Sequence, residues 1–168
     1  MKTAKRLLAL ALALAGVMAL ALLTGCSDNS SKAKQVEEYF RYMMGGTVDY
    51  QKDETLDKKL EAIAQQFQPD WLAGEDRLTN EAYHIIKNDL KDYLETGRVY
   101  LWYGEVKPGQ SALAQAESMK QCDTVEINIM EPGTLLQAIA FTMTGKKSDG
   151  HRYYLALETN ATIKTPRT

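Results

Sequence analysis

The apolar residues of this 168-residue chain change their period once, near Gly97, and that switch limits the fold more than any other feature. Before it they recur at helical spacing. Val36, Tyr39, Phe40, Met43 and Met44 repeat at i, i+3, i+4, i+7 and i+8, with Ser30 or Ser31 as cap and Gly45-Gly46 as stop. Leu56, Leu60, Ile63 and Phe67 form a second stripe ended by Pro69, and Trp71 beyond it reads as a core plug. A third stripe runs from Thr79 as N-cap through Tyr83, Ile86, Leu90, Tyr93 and Leu94, with Gly97 at the C′ position.

After Gly97 the period falls to two. Val99 to Tyr103 is β-branched and aromatic, and Lys107-Pro108-Gly109 ends it. Val125, Ile127 and Ile129 alternate with polar residues, Glu131-Pro132-Gly133 turns the chain into Leu135–Thr144, and Gly145 to Gly150 turns it into His151–Ile163. Ser111 to Gln121 is ambiguous between helix and loop. Helices followed by antiparallel strands predict an α+β fold, with the N-terminal helices packed on one face of a curved antiparallel sheet of about four strands. Over residues 32 to 163 this order resembles the cystatin-like cone folds, including the NTF2-like group. The resemblance implies a sheet wrapped around helices, with room for a pocket. It departs in one respect, since only Ser111–Gln121 could supply the helix those folds interleave among their strands.

The first 25 residues have a different character. Lys2, Lys5 and Arg6 precede Leu7–Leu23, which carries no polar or charged side chain. Basic flank followed by apolar stretch is the layout of a secretory signal, although its length also reaches the lower limit for a membrane span. Leu23-Thr24-Gly25-Cys26 then resembles the lipobox of bacterial lipoproteins. The resemblance implies a diacylglyceryl thioether on Cys26, cleavage before it, and acyl chains such as palmitate holding the protein on the bacterial membrane with its domain outside the cytoplasm. Two or more chains make such an anchor durable. The expected organisation is a signal peptide (1–25), a lipidated cysteine with a polar tether (26–34), one globular domain (35–164) and a tail (165–168).

All 22 acids lie after Gly25 against 17 of the 20 bases, so the exported part is acidic and lacks the basic footprint that nucleic acid requires. With Cys26 lipidated, Cys122 has no partner in the chain, and packing alone must hold the domain together. Only two histidines exist, His84 and His151, and neither has a ligand at metal spacing, so no metal or cofactor is indicated. The segment Asp49–Glu54 has Glu54 where a calcium loop needs glycine, and Gly145-Lys146-Lys147-Ser148 lacks the spacing of a phosphate loop.

Aromatic residues are what remains. Alternation sends Tyr100 and Trp102 to one face of their strand and Val99, Leu101 and Tyr103 to the other, so both faces need cover. Either helices take one side and a loop or another protomer the other, or Tyr100, Trp102 and Tyr154 line a pocket for an apolar or sugar-like ligand, with His84 at its edge. Three function classes follow. One is a binding or interaction module that engages an envelope protein, a cell-wall component or such a ligand. Another is a small enzyme with a His or acid general base in a cone-shaped pocket. The third is a structural or immunity-type lipoprotein whose exposed apolar strand pairs with a partner.

Overall fold

The computed structural model describes residues 29–46, 48–74, 76–128 and 133–164. The predicted signal peptide, Cys26, Ile129, Glu131-Pro132 and the tail 165–168 lie outside the described residues. The chain divides into two compact units, Met1–Lys32 and Ala33–Thr168, and the second holds the fold.

Three helices form where the apolar stripes lie. α1 spans Asn29–Gly45. Asn29–Lys34, read from sequence as tether, is therefore helical, because extending a nucleated helix fixes one residue per hydrogen bond gained. α2 (Glu54–Gln66) starts at Asp53, whose carboxylate accepts the Leu56 N–H at 2.7 Å. α3 (Asn80–Lys91) starts at the expected Thr79, whose hydroxyl accepts the Ala82 N–H. Between them Pro69–Trp71 makes one 3₁₀ turn, and the Trp71 ring packs edge-on against Phe67.

Four strands follow: β1 (Leu94–Glu105), β2 (Lys120–Ile127), β3 (Thr134–Met143) and β4 (Tyr153–Ile163), with the short helix α4 (Ala112–Glu117) between the first two. The sheet is antiparallel throughout, in the order β2-β1-β4-β3. Ser111 caps α4 by accepting the Ala114 N–H, so the ambiguous stretch resolves into a six-residue helix and the first residues of β2.

The α+β class and the four antiparallel strands match the sequence reading, and the packing adds a second layer. α2 and α3 bury Leu56, Leu60, Ile63, Ile86 and Leu90 against Val99, Leu101, Val125, Leu155 and Leu157 on one face. The other face is covered by the chain itself: Val36 and Phe40 of α1 and Ala112 and Ala116 of α4 pack on Ile139, Tyr154 and Ala156. Two faces of β1 with large apolar side chains therefore receive two helical layers, rather than helices on one side and a loop or protomer on the other.

Gly97 corrects the sequence reading. It is no helix terminus: α3 stops at Lys91, and Leu94 already pairs with Ile163 in the sheet. Helical and strand patterns overlap at Leu94, which is fully buried either way. Gly97 sits inside β1 at φ +123°, where an added Cβ would lie 2.4 Å from the Ala161 Cα. Close strand approach, not helix termination, is what requires glycine here. We expect Gly97→Ala to cost at least about 2 kcal/mol in urea unfolding. Gly145→Ala, at a turn with open space around its Cα, should change stability by less than about 0.5 kcal/mol.

Candidate functional site

Along β4, Tyr154, Ala156 and Glu158 share one face, which turns polar at Glu158 and continues with Asn160 and Thr162. Strand pairing places Tyr100 directly opposite Glu158 on one side and Ile139 opposite it on the other. Trp102, opposite Ala156, donates its indole Nε1–H to Glu158 Oε2 at 3.2 Å. The second carboxylate oxygen, Oε1, accepts the hydroxyl of Tyr50.

Tyr50 belongs to the connection between α1 and α2, which is held against the edge of β3. The Gln51 N–H donates to Gln137 O at 2.9 Å, and Gln51 O accepts the Ile139 N–H. That backbone anchoring brings the phenol to Glu158. Burial, then the hydrogen bond and charge of Glu158, push the Tyr50 pKa up to about 12, so it remains a neutral donor. Phe40 of α1 closes the far side, its ring edge-on to Trp102 at 5.6 Å. Glu158, Tyr50, Tyr100 and Trp102 are all half-buried, so the cluster reaches the surface.

Of the residues anticipated as a pocket, Tyr100 and Trp102 meet here. Tyr154 shares their face but is only 1% exposed, tilted against Phe141 beneath α1, and burial raises its pKa. It is a core residue. His84 lies on α3, across the sheet, with its ring against Tyr83, and takes no part. The predicted grouping of these four is thus corrected to two of them plus Tyr50 and Glu158. Glu158 is the one acid of β4, on the same strand face as Tyr154. Tyr50 carried no signal, since a loop residue has no periodicity to place it.

Other polar groups serve the fold. Asp53 uses both oxygens, one on the α2 cap and one for the Tyr93 hydroxyl at 2.8 Å. Lys147, from the loop whose spacing excludes a phosphate loop, donates to Ala64 O and Gln65 O and so caps the C-terminus of α2. His151 pairs with Glu105 at 2.8 Å in an exposed setting. Among the described residues no group of three His, Cys, Asp or Glu side chains could hold a metal ion. Two shallow depressions, one around Tyr42, Gly46 and Asp49 and one around Glu61, Thr142 and Lys147, involve none of the four cluster residues.

Cys122 is fully buried, and burial followed by the charge of Asp123 pushes its thiol up to about 12. It should react with a thiol reagent only after denaturation, and fast labelling of the folded protein at neutral pH would contradict this. Tyr50 and Tyr93 both titrate near 12 in the folded protein against 10.0 ordinarily, Tyr93 through burial and its bond to Asp53. Because folding favours their neutral forms, the stabilisation is complete below pH 10 and disappears as pH rises from 10 to about 12. A Tyr50→Phe, Tyr93→Phe variant should lose less stability than the parent over that interval in urea titrations. No family model, curated protein or solved structure matches this chain.

Proposed function

We propose that the chain is a bacterial lipoprotein, anchored through lipid on Cys26, whose domain works outside the cytoplasm as a binding or interaction module. The observation that carries this reading is the register of the N-terminus. Three bases, a 17-residue apolar run and Leu23-Thr24-Gly25-Cys26 follow one another in the order that export and lipid transfer require. A thiol is the group that can accept the lipid as a thioether. The burial and raised pKa of Cys122 support Cys26 in that role, since they remove the other sulfhydryl from competition.

Among the described residues, which leave out the apolar run 7–23, no helix is long and apolar enough to cross a membrane. The domain brings its own cover to both sheet faces and yet leaves the Tyr50–Glu158–Trp102 cluster with Tyr100 at the surface. A polar group ringed by aromatic side chains suits recognition, because rigid rings offer contact area at low entropic cost. Its partner is an envelope protein, a cell-wall component or a small ligand.

The test is Cys26→Ala in a bacterial host fed labelled palmitate. The parent should take up label, lose its first 25 residues and fractionate with membranes. The variant should remain an unlabelled precursor. Normal processing and labelling of the variant would overturn the assignment.

A further inference from the structure

Glu158 presents an electrostatic imbalance. A half-buried carboxylate is commonly met by a basic side chain or by hydrogen-bond donors, because withdrawing a charge from water is unfavourable unless it is compensated. None of the ion pairs among the described residues includes Glu158. On the same sheet face Arg98, opposite Asn160, has its Nε 3.4 Å from Glu126 on β2, on the side away from β4, and Arg41 of the covering helix α1 pairs with Glu37. Glu158 is instead met by two neutral donors, the Tyr50 hydroxyl and the Trp102 indole.

Those donors also limit what could balance the charge. Each carboxylate oxygen already accepts one hydrogen bond, and the surrounding surface is aromatic: Tyr50, Trp102 and, directly across the strand pair, Tyr100. A cation with several N–H groups would have only the remaining lone pairs of those two oxygens and the phenol oxygens to donate to, in a surround otherwise made of ring faces. A cation without N–H groups needs no acceptor. It gains from the net negative charge and from the electron-rich faces of the rings.

We propose that Glu158, Tyr50, Tyr100 and Trp102 form a binding site for a quaternary ammonium group. This deepens the reading of the domain as a binding module and rests on it, but it does not depend on the lipid anchor. The carboxylate supplies the charge, Tyr50 and Trp102 hold it in place, and the rings supply the contact surface.

The experiment follows the two indole N–H resonances by NMR, using the full chain in a non-ionic detergent. Trp102 reports the site, and Trp71, packed on Phe67 against the opposite face, is the internal control. Tetramethylammonium chloride should shift the Trp102 signal saturably, with a dissociation constant on the order of millimolar, and leave Trp71 unmoved. Sodium chloride at equal ionic strength and the neutral isostere 3,3-dimethyl-1-butanol should not, and n-butylammonium should bind several-fold more weakly. Glu158→Gln keeps the shape and an acceptor for Tyr50 while removing the charge, and should weaken binding at least about tenfold. Should that variant fail to fold, Tyr100→Leu at the half-exposed position carries the same test and should weaken binding several-fold. Free choline and phosphatidylcholine in mixed micelles separate a dissolved ligand from a lipid headgroup, and a response to neither overturns the proposal. So does equal response to the neutral isostere, or undiminished binding by Glu158→Gln. Saturable binding that moves Trp71 alone would overturn this site while leaving the binding-module reading in place.

Discussion

The structure depends on β1 being apolar on both faces. A strand in a two-layer α+β domain usually buries one face and wets the other, but here Val99 and Leu101 point to one side and Trp102 to the other. Leaving either side bare would expose large apolar area at about 25 cal/mol per Å². The chain meets this by dividing its helices. α2 and α3 close one face, and α1 with the short α4 closes part of the other. Everything distinctive about the molecule follows from that division, because a chain with helices on both faces must pass around a sheet edge.

The passage is made by the connection between α1 and α2. It runs along β3, where Gln51 takes up the outward-facing Gln137 carbonyl and Ile139 N–H. The opposite edge is managed differently. On β2 the Glu126 N–H donates to the Tyr83 hydroxyl, the Thr124 N–H donates to the side chain of Asp123, and the second oxygen of Asp123 accepts the Leu78 N–H. Both edges thus have backbone groups occupied by this chain, which discourages pairing with another strand. One consequence is functional: the edge connection that satisfies β3 also delivers Tyr50 to Glu158.

Much of this was legible in the residues. The three amphipathic stripes, the Thr79 cap, the turns at Gly109 and Gly150 and the α+β class all follow from local spacing and turn chemistry. The candidate site was half legible. Tyr100 and Trp102 stood out because two rings on one strand face are hard to hide, whereas Tyr154 looked identical in sequence and turned out to be sealed beneath α1. His84 was misplaced because helical periodicity places a residue on a face of its helix and does not tell which side of the sheet that helix will cover. Gly97 was misread because a glycine after a helical stripe usually ends the helix, and only the closeness of Ala161 reveals its actual use.

The amino-acid order alone determined the three amphipathic stripes, the change to strand period after them and the turns between the strands. These depend on neighbours within a turn or two. Tertiary structure decided which helices lie on which face and which polar groups meet. Tyr50 and Glu158 are 108 residues apart, and Trp102 and Glu158 are 56 apart. Contacts of that separation form only when strand register and helix packing are settled together. No periodicity, cap or motif encodes them singly.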